Sequence, residues 1–163
     1  MPKLFKGDPS VIAALNEALG REVTALDQYL VHAHMLETWG FEKRARNVYG
    51  EHIDGRMHIE NLVERIVALG GRPDLRNIGT IYIGENLKDV IECDLRLEFE
   101  NILCYRKVVE ICEQAKDYVS RDLMVRVLRD AEGYHDRLRR DLEMIEMIGI
   151  ENFALSQIGE LEL

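Results

Sequence analysis

GGRPDLRNIGTIYIGE, residues 70–85, is a long stretch without helical periodicity, and its length decides the fold. Fully extended, it reaches roughly 50 Å. The segments on either side suit helices of about 28 residues, which are about 42 Å long. The connection can therefore travel the whole length of a helix bundle, and a structureless run of this size in a compact domain needs such a purpose. Working outward, Gly70-Gly71-Arg72-Pro73 stops a helical segment that begins near Phe41, and Asn86 opens another that ends near Gln114. Before them, Asp8-Pro9 is an N-cap with Pro at the first helical position, and that segment ends at Trp39-Gly40. After them, a fourth segment runs from about Tyr118 to Ile148 and stops at Gly149, with a short last helix expected from about Glu151 to Ile158. The first and second segments, like the third and fourth, are joined by almost nothing, so each pair must be antiparallel neighbours. The predicted fold is all-α: two helical hairpins joined by one long crossover.

The 163 residues read as a single domain, residues 1–163, large enough for one sizeable core. The net charge of −9 disfavours nucleic acid and anionic membranes as partners and suits cations. No stretch approaches the roughly 20 apolar residues of a membrane helix. The opening Met1-Pro2-Lys3-Leu4-Phe5-Lys6 is not followed by the apolar run of a signal peptide. Cys93, Cys104 and Cys112 are odd in number, form no Cys-x-x-Cys and share one helical stretch, so they read as buried, reduced thiols and point to the cytoplasm.

The stripes that face the bundle axis should be apolar, so their polar members carry the information. In the first segment Glu22 is in phase with Leu15, Leu19, Ala25 or Leu26, Tyr29, Ala33 and Leu36. In the third, Glu98 is in phase with Ile91, Ile102 and Tyr105. In the second, His58 is in phase with Val48, Leu62, Ile66 and Leu69. The fourth stripe reads Val127, Ala131, Tyr134, Leu138, Leu142, Ile145. A buried carboxylate costs several kcal/mol unless it is paired or binds metal, and two facing carboxylates raise one another's pKa. A cation between Glu22, Glu98 and His58 solves both problems, and that ligand set suits iron, manganese or zinc. The plain alternative is that core tyrosines hold the carboxylates, with Tyr29, Tyr105 and Tyr134 available.

Several runs along most of the chain resemble bacterioferritins, of the ferritin-like superfamily. They are Leu19-Gly20-Arg21-Glu22 leading into Asp27-Gln28-Tyr29, then Trp39-Gly40, Glu64-Arg65-Ile66, Gly71-Arg72-Pro73-Asp74-Leu75, Ile83-Gly84-Glu85, Cys93-Asp94-Leu95 with Glu98, and Asp117-Tyr118-Val119-Ser120-Arg121-Asp122. The resemblance implies a ferritin-like four-helix bundle and a cytoplasmic shell of about 24 subunits that stores ferric mineral. It also implies a di-iron ferroxidase centre in each bundle and haem between paired subunits.

The departures are specific. The family's second helix reads Ile-Asp-Glu-Met-x-His, where this chain has Ile53-Asp54-Gly55-Arg56-Met57-His58. Gly55 replaces a bridging Glu, and Arg56 replaces the haem-ligating Met. The fourth helix should read Asp-Glu-Glu-x-His but reads Asp130-Ala131-Glu132-Gly133-Tyr134, so Ala131 and Tyr134 replace two more ligands. Glu22, His58 and Glu98 keep half of the implied ligand set, enough for a residual or mononuclear iron site at most. Glu132 and His135 have ligand spacing but lie one position, about 100°, off the core stripe, and Met57 is displaced by the same angle from the haem-facing position. Gly55 invites close approach of a bulky neighbour, with Tyr134 as the candidate and its hydroxyl on Glu22 or Glu98. These features predict a storage subunit with no catalytic residues of its own and no haem, in a shell that is homo-oligomeric or mixed with a complete bacterioferritin subunit. Two rival readings are an active ferroxidase that recruits Asp54, Asp94 or Glu132, and a four-helix interaction module that builds no cage.

Overall fold

The computed structural model describes residues 6–159; Met1–Phe5, read above against a signal peptide, and residues 160–163 lie outside the described residues. The elements are α1 (Pro9–Thr38), α2 (Glu42–Ala68), α3 (Leu87–Gln114), α4 (Tyr118–Ile148) and α5 (Ile150–Leu155). Local chemistry sets the boundaries. Asp8 caps α1 by accepting from Ser10 N–H at 2.8 Å, Asn86 caps α3 from Asp89 N–H at 2.9 Å, and Asp117 caps α4 from Ser120 N–H at 3.0 Å. Gly40 (φ +92°) and Gly70 (φ +81°) follow α1 and α2 in the left-handed conformation that ends a helix cheaply only at glycine. The last helix is shorter than expected and stops at Leu155.

Gly7 N–H donates to Leu69 O at 2.9 Å, so the end of α2 lies beside the start of α1. α1 packs on α2 and α3, and α4 packs on α3 and α2. This is the predicted four-helix bundle, two hairpins joined by a long crossover, with α5 folded against the end of α4. The buried apolar residues form two clusters. One gathers Leu15, Leu19, Leu62, Ile66, Tyr105 and Met124; the other gathers Tyr29, Leu36, Val48, Ile91, Tyr134 and Leu138. Between them lies a polar layer containing Glu22 and Glu98. On α1 it is Ala25 rather than Leu26 that is buried, and Leu142 on α4 is only half-buried. Of the cysteines, all free and all on α3, only Cys112 is buried; Cys93 and Cys104 are half-buried, because they sit beside the core stripe rather than on it.

The crossover runs along α1 on a stripe repeating every four residues, about one helical turn. Asn16 Oδ1 accepts from Asp74 N–H at 2.8 Å. Thr24 Oγ1 accepts from Gly79 N–H at 2.8 Å, and Gln28 Oε1 from Tyr82 N–H at 2.9 Å. His32 Nε2 accepts from Gly84 N–H at 3.1 Å. That last bond fixes the tautomer: the ring proton sits on Nδ1 and donates to buried Asp94 Oδ1, 2.7 Å away, which Gln28 Nε2 also reaches at 2.8 Å. Four backbone N–H groups of the crossover thus find partners on α1 without belonging to a helix or sheet. Tyr82 fastens it to α3 as well, donating to Glu100 Oε1 at 2.8 Å under the Arg96 guanidinium, 4.0 Å above its ring.

Gly20 completes the stripe between Asn16 and Thr24, and a Cβ there would lie 2.5 Å from the Asn77 carbonyl oxygen. Glycine to alanine inside a helix normally stabilises by about 1 kcal/mol. Gly133→Ala, with nothing within 4 Å of its Cβ, should follow that rule and raise the thermal midpoint by about 2–4 °C. Gly20→Ala should lower it, because a backbone oxygen must move and overpacking costs about 1–3 kcal/mol. Differential scanning calorimetry of the two variants checks the opposite signs; a gain at both positions would show that the crossover is loosely seated.

Candidate metal centre

Glu22, His58 and Glu98, from α1, α2 and α3, all line one cavity of about 30 Å³ in the polar layer, as their helical phase predicted. The space is of the order of one or two water molecules. Tyr29, Ala131, Tyr134 and Gly55 complete much of its wall, and Glu51, Asp54 and Asp130 add three more carboxylates.

The buried carboxylates are held by protein groups. Tyr105 donates its hydroxyl to Glu22 Oε1 at 2.5 Å, and Tyr29 donates to Glu98 Oε1. His58 Nδ1 faces Glu22 Oε2 at 3.3 Å while Nε2 faces Asp130 Oδ2 at 2.8 Å. An imidazole with a carboxylate on each nitrogen donates from both only as the cation. Burial pulls the His58 pKa down, but the hydrogen bonds and charges of Glu22 and Asp130 outweigh it and hold it up at about 9. Glu98 is the opposite case. Its burial, with the charges of Glu22, Glu51 and Asp94, pushes it up to about 8 against the Tyr29 hydrogen bond, so it is largely protonated at neutral pH. Burial raises Glu51 as well, although Arg137 Nη2, 2.5 Å from its Oε1, pulls it back. Among the described residues, no group of three or more His, Cys, Asp or Glu side chains forms a cluster able to hold a metal ion.

Tyr134 corrects the sequence reading. It does not pack over Gly55, where an added Cβ would meet only Glu22 Oε2, at 3.8 Å. Its ring meets the Tyr29 ring edge-on, with centroids 5.5 Å apart, and its buried hydroxyl has no hydrogen-bond partner. Tyr134 is turned onto the Tyr29 ring, and the hydroxyls of Tyr29 and Tyr105 take the two carboxylates that it was expected to reach. Of the residues considered for an alternative centre, Asp54 lines the cavity. Asp94 is instead committed to Gln28 and His32, and Glu132 lies on the surface with Arg106 at 3.0 Å. His135 stands beside the Phe99 ring, centroids 6.3 Å apart, and Met57 and Arg56 are both exposed. Sequence reasoning missed Glu51 and Asp130. Glu51 had a signal, since positions 51, 55 and 58 share one face of α2. Asp130 had none, because it lies off the α4 stripe and reaches His58 from the edge of the groove.

Both raised pKa values give the same pH dependence. A group that binds its proton more tightly when folded stabilises fully below its unfolded pKa, and that stability is lost as pH rises through the folded value. The window runs from about 4.5 to about 8 for Glu98 and from 6.5 to about 9 for His58. The thermal midpoint should fall as pH rises across these windows, and less steeply in Glu98→Gln. Equal slopes in the two proteins, measured by scanning calorimetry, would contradict the protonated Glu98.

The sequence is similar to known proteins along most of its length. Residues 12–148 match the ferritin-like domain family. A bacterioferritin of Brucella melitensis is 37% identical over 150 residues, covering 92% of this chain and 93% of its own. A bacterial ferritin of Synechocystis is 38% identical over 156 residues, 95% of this chain and all of its own, and a bacterioferritin of Rhodobacter capsulatus is 35% identical over 158 residues, 97% and 98%. With its bundle, its crossover and this likeness along nearly the whole chain, the protein belongs to the bacterioferritin family.

Proposed function

We propose that this chain is a subunit of a bacterioferritin-type iron-storage shell whose own di-iron centre is incomplete. The observation that carries the reading is that the buried carboxylates are already engaged: Glu22 by Tyr105 and His58, Glu98 by Tyr29. A two-metal oxidation needs ions about 3.5–4 Å apart, clamped by shared carboxylates. Gly55 and Ala131 have no ligand atoms to offer, and Tyr134 turns to Tyr29. Glu22, His58 and Glu98 hold one weakly bound iron at most. Oxidation of stored iron then falls to the mineral surface or to a complete bacterioferritin subunit in a mixed shell of about 24 chains. Arg56, at the position of the implied haem ligand, has no lone pair to give to iron, so the subunit binds no haem there. The compartment is the cytoplasm: successive cysteines lie about 12–16 Å apart along α3, too far to pair with one another, and suit a reducing environment.

A second reading, active ferroxidase, has one observation in its favour: five carboxylates and an imidazole still line the cavity. Stopped-flow oxidation of ferrous iron by the purified homo-oligomer separates the two. The storage reading predicts a slow, mineral-like rate and no Soret band; a fast phase consuming two ferrous ions per chain would establish the enzyme. Native mass spectrometry of the same sample should give a closed particle of about 24 times the 18.9 kDa chain, and a small oligomer would favour an interaction module without a cage.

A further inference from the structure

We propose that Arg137 is the resident counter-cation of the cavity mouth, and that its ion pair with Glu51 keeps divalent metal out of this bundle. The proposal rests on the reading of an incomplete centre and names the residue that keeps it closed to metal. Arg137 lies on α4, one turn beyond Tyr134. Its Nη2 crosses to α2 and sits 2.5 Å from Glu51 Oε1, while its guanidinium carbon lies 5.5 Å from the centroid of the Tyr134 ring. The pair is therefore anchored at two points, one of them a residue of the cavity wall. Glu51 itself lines the cavity with a side chain only 19% exposed, so it is a largely desolvated carboxylate that requires a positive partner.

The electrostatic consequence follows from the charges around it. Asp54 and Asp130 line the same cavity, and Asp130 is already turned to His58. Glu51 is more buried than Asp54, and Arg137 supplies its cation. A guanidinium carries no lone pair, cannot join a coordination shell and stays charged at every accessible pH. It occupies one of the two Glu51 oxygens and repels a metal ion at the other. Arg137 is 56% exposed, so it reaches in from the solvent side rather than forming part of the core.

The test is titration of the intact oligomer with Co²⁺, followed by calorimetry, on wild type, Arg137→Gln, Arg137→Lys, Glu51→Gln and the double variant Glu51→Gln/Arg137→Gln. Arg137→Gln should bind about tenfold more tightly than wild type. Arg137→Lys, which keeps the charge, should behave as wild type; Glu51→Gln should bind no better than wild type; and the double variant should lose the gain, which places it at Glu51 rather than elsewhere on the acidic surface. Equal affinity in wild type and Arg137→Gln would overturn the proposal, as would a gain that survives in the double variant or appears equally in Arg137→Lys. Two tightly bound ions in wild type would instead contradict the incomplete centre itself and remove the ground of the proposal. Circular dichroism of each variant confirms that folding is unchanged, and if Arg137→Gln fails to fold, Arg137→Met with the same double-variant control serves in its place.

Discussion

Two carboxylates buried at the waist of a four-helix bundle must be neutralised, and the rest of this protein is arranged around how that is done. Glu22 and Glu98 separate the two apolar clusters of the core. Left unpaired, each would cost several kcal/mol. Metal is one solution, with oxygen ligands shared between two ions. The structure places protein groups there: a phenol on each carboxylate, an imidazolium between Glu22 and Asp130, and a proton on Glu98. The replacements agree with one another. Gly55 and Ala131 bring no charge to the cavity wall, and Tyr134 fills space against Tyr29. A polar layer whose members are all engaged stabilises, whereas a half-satisfied one costs more than an apolar core. The unpartnered Tyr134 hydroxyl is the part of the layer left unsatisfied.

The crossover is the second constraint. A segment of this length outside regular structure has backbone groups that need partners, and α1 supplies them from a single stripe of Asn16, Thr24, Gln28 and His32, with Gly20 leaving room for the Asn77 carbonyl. Asp94 on α3 completes the arrangement by holding both Gln28 and His32. The register of the crossover therefore fixes α1 against α3, and with them the positions of Glu22 and Glu98 across the cavity. Polar residues buried on α1 thus serve the crossover at one face and the waist at another.

Much of the fold was legible in the residues because its boundaries are set by local chemistry. Asp8-Pro9, Asn86 and Asp117 announce helix starts, and Gly40, Gly70 and Gly149 announce stops. The length of residues 70–85 gave the topology. The four-residue stripe on α1 was equally present but went unread, since polar residues off the apolar stripe look like surface until something covers them. At the site, helical phase correctly turned Glu22, Glu98 and His58 inward. Phase gives direction but not partners. Three tyrosines were in range of two carboxylates, and only packing decides that Tyr29 and Tyr105 hold them while Tyr134 does not. Asp130 shows the same limit from the other side. It lies off the axis-facing stripe, yet a side chain at the edge of a groove reaches a neighbour that a wheel diagram places elsewhere.

The central claim is that protein donors, rather than metal, balance the charge at the waist. The most direct measurement is anomalous diffraction at the iron edge from crystals grown under ferrous iron without oxygen. The account predicts one weak peak or none in the cavity, with Tyr105 still on Glu22 and Tyr29 still on Glu98. Two strong peaks bridged by Glu22 and Glu98, or iron gripped by Glu132 and His135 turned towards the axis, would contradict it.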